Sequence, residues 1–328
     1  MSRRTDRRPI ATSSTLWHDP ISNSSNKLRP VAAVAMRRPN RYWLIAALVA
    51  ALLYYGWSQV TQPRGDQVVA FRPAAQRCGS DGPLRYCIYR DRRGTNGDVL
   101  YHLHGRNLDE RIWNDDTYLT AMVQAEWQRS AALPPTVVEL SYGPTWLLTP
   151  KGEKADSGLL DDMMRRLPVI EAKAGRPRRR LLMGESMGGL NVLIAGLSHP
   201  SRFAKVAALC PGLYTVSPFA SFAEIHAAAK RTGADPKMIF GVWTLARKYA
   251  ANDAEWQRVA PLTLIERAGP NYPALYLSNG LYDAYGNFEG SQRLVDMART
   301  RGIKTEWHPI YGGHCATDAS SLAAFLSS

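Results

Sequence analysis

Ser186 stands alone between glycines in "LLMGESMGGL" (residues 181–190), after one apolar run and before another. Gly184, Glu185, Ser186, Met187 and Gly188 spell G-x-S-x-G. Between a strand and a helix, such a turn is tight enough to strain its central residue and bring neighbouring backbone very close. Glycine at the two flanking positions removes the Cβ atoms that would collide. The hydroxyl is then held clear of the sheet, with the free N–H groups of the new helix behind it, where they stabilise negative charge. That is the setting of a serine nucleophile. The plainer reading is a glycine-rich helix start, and the candidate partners decide between the two.

A serine hydroxyl needs a base to take its proton. His314, in "YGGHC", follows the last predicted strand on a glycine-rich loop near the C-terminus and is the expected base. His308 lies inside that strand and reads as structural; His199 ends the helix after Ser186 and reads as its cap; His102 and His104 flank Leu103 and point the same way. The imidazole in turn needs a carboxylate to fix its tautomer and stabilise its charged form. Asp283, in "SNGLYDAYG", is the candidate, with Glu289 in the following helix a weaker one and a turn or cap role the plainer reading. Two N–H donors must face the oxyanion of a tetrahedral intermediate. Met187, directly after the nucleophile, supplies one; "HLHGRN" supplies the other, assigned to Arg106 because Gly105 lets the backbone turn sharply there.

The elements that would position these groups alternate. Strands are expected at 84–90, 98–105, 136–143, 178–184, 203–210, 273–280 and 304–313, from short apolar or alternating runs closed by glycine or proline. Helices are expected within 108–128, over 158–175 with Pro168 kinking or interrupting it, over 187–200, over 288–302 and at the C-terminus. Alternation of this kind implies a mostly parallel sheet covered on both faces. Residues 214–270 break the rhythm with several helices and no clear strand, as a helical insertion over the sheet's C-terminal edge would. Tyr142, Trp146, Tyr214 and Trp243 are candidate walls of a substrate pocket, with Gly105 beside them, although large aromatics are more often core.

The N-terminal part reads differently. Residues 1–41 hold nine Arg/Lys against Asp6 and Asp19, so +7 of the net +13 lies there. This tail, rich in Ser, Asn and Pro, is expected to be disordered and cytoplasmic. It shows no module of stacking aromatics among basic residues, so nucleic acid is not an expected partner. No charge occurs from Tyr42 to Pro63, and aromatic residues flank the aliphatic centre. Residues 42–60 are therefore expected to be a transmembrane signal-anchor, with residues 61–83 a linker and first strand region and 84–328 the catalytic domain. A cleaved signal peptide is the alternative, and a start at Met36 would give it an ordinary basic n-region. Either places the domain outside the cytoplasm, periplasmic or extracellular. Four cysteines fit that compartment: Cys78 and Cys87 span "CGSDGPLRYC", whose Asp-Gly-Pro suits a turn. No metal-ligand spacing and no phosphate loop occur, so no cofactor is expected.

"GESMGGLNVLIAGLSHPSRFAKVAAL", "YLSNGLYDAYG", "EWHPIYGGHC" and "VLYHLHG" together resemble the putative-esterase family of α/β-hydrolases, which includes feruloyl esterases, esterase D and the mycolyltransferases. The resemblance covers roughly residues 84–320. It implies an α/β-hydrolase fold, a triad of Ser186, Asp283 and His314 in that superfamily's chain order, and an ester substrate, small or of the cell envelope. It leaves the acyl group open, and the long helical stretch 214–270 is expected to depart from the shorter members. If the fold is as implied, Cys210 and Cys315 both fall near the sheet's C-terminal edge, where a disulfide could brace the histidine loop. The expected function is an exported, membrane-anchored serine esterase. A cell-envelope acyltransferase using the same acyl-enzyme and a non-catalytic envelope-binding protein are the alternatives.

Overall fold

The computed structural model describes residues 41–61, 68–146 and 159–328. Two units divide it, one ending at Gly65 and the other running from Asp66 to Ser328. The basic tail expected over 1–41 lies outside the described residues except for Arg41.

In the first unit, Arg41–Thr61 forms helix α1. The expected membrane anchor is not supported: among the described residues no helix is long and apolar enough to cross a membrane. The physical reason is length. The aliphatic stretch Leu44–Leu53 has ten residues, about 15 Å of helix against a hydrocarbon core of about 30 Å. Tyr42, Trp43, Tyr54 and Tyr55 flank it, and Ser58, Gln59 and Thr61 end the helix in polar side chains.

The second unit is built on eight strands: β1 (Ala75–Asp81), β2 (Leu84–Arg90), β3 (Val99–Leu103), β4 (Thr136–Ser141), β5 (Arg180–Glu185), β6 (Lys205–Leu209), β7 (Ala274–Gly280) and β8 (Thr305–Ile310). They lie in the order β1-β2-β4-β3-β5-β6-β7-β8. The β1–β2 and β2–β4 pairs are antiparallel and the rest parallel. All the strands expected from the sequence form. The turn at Asp81–Leu84 makes β1–β2 a hairpin, and Cys78 pairs across it with Cys87 in a disulfide.

The central strands read as continuous apolar runs because both faces are covered. Val99, Tyr101 and Leu103 of β3 pack with α3 (Leu159–Ala174), while Leu100 faces Trp113 and the buried residues of α2 (Leu119–Arg129). Helix α3 does not end at Pro168. The proline removes the hydrogen bond to the Met164 carbonyl, a cost of about 3 kcal/mol, but Leu160, Met163, Leu167 and Ile170 are buried on the same face and hold the helix down. The mostly apolar α4 (Met187–Ser198), whose polar side chains are Asn191 and Ser198, follows β5 and is buried nearly all round. Between β6 and β7 lies the expected insertion: α5 (Phe222–Thr232), α6 (Pro236–Tyr249), α7 (Asp253–Val259) and α8 (Pro261–Leu264). Each of the first three starts with a capping side chain, from Ser221, Asp235 and Asn252 in turn. Helix α9 (Phe288–Thr300) leads into β8, and α10 (Ala319–Ser327) closes the chain.

Candidate active site

The glycines around Ser186 are required by contact, not by flexibility. A Cβ on Gly188 would sit 1.6 Å from the Leu103 carbonyl oxygen, and one on Gly184 would lie 2.5 Å from the Gly188 backbone. No larger residue fits between β5, β3 and the first turn of α4. Ser186 itself takes φ 55° and ψ −112°, a conformation that costs a non-glycine residue about 1–3 kcal/mol. It is held there by its N–H, which donates to the Leu209 carbonyl at 2.9 Å, and by its carbonyl, which accepts from the Leu190 N–H at 3.1 Å. Its neighbours are buried, while Ser186 is partly exposed.

The loops after β7 and β8 bring the expected partners to it. Nε2 of His314 lies 2.9 Å from Ser186 Oγ. Nδ1 of the same ring lies 3.0 Å from each oxygen of Asp283. Asp283 is 4 % exposed and is fixed in turn: its carboxylate accepts from the Asn279 side-chain amide at 3.2 Å and from the Tyr285 N–H at 2.8 Å. The Tyr285 ring packs against the His314 imidazole, with centroids 4.3 Å apart. Cys315, directly after the histidine, is joined by a disulfide to Cys210 at the end of β6. Both cysteines have positive φ, 59° and 40°. The sulfurs and the His314 ring come within 4.8 Å, a spacing a metal site would share, but the sulfurs are bonded to each other and both ring nitrogens have partners.

Glu289, the weaker acid candidate, is not at this site. It forms an ion pair with Arg231 at 3.0 Å. His308 stacks on Tyr276, centroids 4.4 Å apart, and His199 is the C-cap of α4.

Met187 is the first residue of α4, so its N–H has no intrahelical acceptor. Neither this N–H nor that of Arg106 donates a hydrogen bond to the described residues. Arg106 and Met187 line the same cavity as Ser186. Gly105 does not. Its N–H is engaged by Glu185 Oε1 at 2.7 Å.

Comparison with known proteins settles the family. The family described as "Putative esterase" matches residues 83–318, well over half of the chain. The chain belongs to that family. It is a serine hydrolase of carboxylic esters. Among curated proteins none matches it. Solved structures share its fold at low identity. A ferulic acid esterase is 17 % identical over 77 % of this chain and 94 % of its own, with a TM-score of 0.53. An S-formylglutathione hydrolase from Agrobacterium tumefaciens is 16 % identical over 80 % and 96 %, at 0.52. An esterase from Pyrobaculum calidifontis is 15 % identical over 79 % and 85 %, at 0.54.

In this esterase, Ser186 opens on a cavity of about 540 Å³ roofed by α6. Trp146 and Tyr214 line it. Tyr142 does not; its hydroxyl donates to Asp162 at 2.8 Å. Trp243 does not either: it lies on two smaller apolar pockets beside the cavity and stacks on Phe240. Burial, with the Asp283 charge second, pushes the Tyr214 phenol well above its usual range. Lys237, Phe240, Leu245 and Tyr285, which the sequence did not single out, are also among the lining residues. An amphipathic insertion helix carries no mark of which face looks at the nucleophile, so no local signal could have selected the first three. Tyr285, two residues after Asp283, could have been suspected from proximity alone.

Proposed function

We propose that this esterase cleaves its substrate through an acyl-enzyme on Ser186. His314 Nε2 takes the hydroxyl proton as Oγ bonds to the ester carbonyl carbon. The carbonyl π electrons move to oxygen, and that oxyanion is held by the N–H groups of Met187 and Arg106. Collapse breaks the bond to the alkoxy oxygen, which leaves as the alcohol with the proton from His314. Water then repeats the attack and frees Ser186. Asp283 accepts from Nδ1–H, fixing the tautomer and stabilising the imidazolium. The observation that carries this reading is one ring spanning both partners, at 2.9 Å from Ser186 Oγ and 3.0 Å from Asp283.

A fluorophosphonate probe tests it. The native protein is expected to be labelled stoichiometrically and Ser186→Ala not at all; equal labelling of both would overturn the reading. The acyltransferase alternative drew its support from a membrane anchor, and among the described residues no helix is long and apolar enough to supply one.

The two disulfides, Cys78–Cys87 and Cys210–Cys315, support action in an oxidising compartment outside the cytoplasm. A periplasmic or secreted fraction free of the protein would refute that.

A further inference from the structure

Arg106 lies in the loop after β3, directly behind "HLHG" (residues 102–105), and the triad uses neither histidine. Both are buried; His104 bonds the backbone of Gly105 directly, and His102 reaches it through Glu185. On one side of Gly105, His104 Nδ1 lies 2.7 Å from the Gly105 carbonyl oxygen. A carbonyl only accepts, so Nδ1 carries the proton and Nε2 accepts from the Ser141 hydroxyl at 2.8 Å. Burial keeps this imidazole below its usual pKa, in keeping with the neutral ring. On the other side, the Gly105 N–H donates to Glu185 Oε1 at 2.7 Å. Glu185 Oε2 accepts from His102 Nε2 at 2.6 Å, and His102 Nδ1 bonds Glu139. All three of these side chains are fully buried on adjacent strands. Tyr118 also hydrogen-bonds Glu185.

The Gly105 carbonyl and the Arg106 N–H belong to one planar peptide unit and point opposite ways. Fixing the carbonyl therefore aims the N–H. We propose that His104, on the Gly105–Arg106 peptide, and His102 through Glu185, on the His104–Gly105 peptide before it, are positioning residues that fix both sides of Gly105 so that the Arg106 N–H faces the oxyanion. This rests on the acyl-enzyme reading above. The charge balance agrees. A bare carboxylate behind the oxyanion loop would repel the charge that develops there. Burial alone would lower the His102 pKa, but Glu139 and Glu185 outweigh it and raise it to about 10, so a cation faces the Glu185 carboxylate. For Glu185, burial would raise its pKa, but His102, the Gly105 N–H and Tyr118 hold it below the usual range. Burying such a cluster costs several kcal/mol that well-packed apolar residues would not, so a purely structural role leaves its presence unexplained.

The test compares Glu185→Ala, Glu185→Asp, Glu185→Gln and His104→Leu in the full chain. kcat and KM for a p-nitrophenyl ester are measured per fluorophosphonate-titrated site, alongside Tm. Loss of one oxyanion donor costs about 100-fold, so E185A and H104L are expected to lose kcat on that order with KM within about threefold. E185D keeps the charge but cannot reach Gly105, and is expected to lose about tenfold. E185Q is the rescue: its side-chain oxygen still accepts from Gly105 while its NH₂ donates to His102, so most of kcat returns. E185D and E185Q decide the matter if E185A and H104L do not fold. The clamp is overturned if E185D keeps kcat within threefold of the native enzyme, or if E185Q falls as far as E185D or E185A. An inactive native enzyme, or an active Ser186→Ala, would instead overturn the acyl-enzyme reading itself.

Discussion

The sheet edge and the helical insertion meet at one cavity but are built under different rules. At the edge, backbone touches backbone: Gly188, Gly184 and Gly280 each leave a Cβ no room, and Ser186, Cys210 and Cys315 all hold positive φ. In the insertion, Gly241 of α6 has nothing within 4 Å of where a Cβ would go, and Phe240 beside it is 59 % exposed. The contrast teaches where precision is located. Ser186 and the cysteines beside the His314 loop are over-determined by packing, whereas the roof presents side chains that can change without moving Ser186.

A matched pair of substitutions sharpens this contrast most. Gly188→Ala is expected to abolish hydrolysis and destabilise the fold by about 3 kcal/mol or more, since a rigid carbonyl blocks the methyl group. Gly241→Ala is expected to stabilise by about 0.5–1 kcal/mol, the ordinary gain of alanine over glycine within a helix. Thermal melts and an ester assay check both, and similar effects at the two sites would break the comparison.

Next in size is the tether of the histidine loop. Cys210→Ser with Cys315→Ser opens a disulfide spanning 105 residues. Chain entropy gives a loss of about 5 kcal/mol, read from denaturant melts. The kcat of the folded fraction is expected to fall too, because the loop bearing His314 loses its anchor; an unchanged kcat would mean that Asp283 and Tyr285 hold the ring by themselves.

A smaller effect belongs to the roof. Phe240→Ala removes apolar surface from the cavity wall while leaving Ser186, His314 and Asp283 untouched. KM is expected to rise about tenfold for esters with apolar acyl groups while kcat changes less than about threefold, the signature of lost uniform binding. A fall in kcat with KM constant would move this residue into the chemistry.

The smallest effect is a pH slope. The pKa of His102 is raised on folding from 6.5 to about 10. Its stabilisation is therefore complete below about pH 6.5 and is lost as pH rises through about 10. Burial also raises Glu139 to about 7, against the opposing His102 charge, which subtracts stability over the interval up to pH 7. The groups facing the ring are Glu139, Glu185 and His104, with Trp113 packed edge-on, while Asp109 acts on Glu139 and Tyr118 on both carboxylates. Tm is expected to fall between pH 7 and 10, and His102→Gln to flatten that fall. A native slope that survives the substitution would assign it to another group.

The edge was far more legible in the sequence than the roof. G-E-S-M-G stood out because the sterics of the turn admit few residues, and Asp283 and His314 were singled out because each sits just past an apolar strand. The alternation of apolar runs located the strands for the same reason, since a doubly covered sheet tolerates little else. Tyr142 and Trp243 were set on the pocket wall by their size alone, and size does not say which way a ring turns. The anchor over 42–60 was read from the absence of charge, whereas crossing a bilayer depends on continuous apolar length.

What the amino-acid order determined by itself was local: which residue can stand in a strained turn, which runs can be buried on both faces, and which groups could trade a proton. What only the tertiary structure decided was convergence. Ser186 and His314 lie 128 residues apart and meet at 2.9 Å, and Glu139, His102 and Glu185 come from three strands to one buried point. Such meetings depend on strand order and register, which arise from the packing of the whole sheet and leave no mark at any one position along the chain.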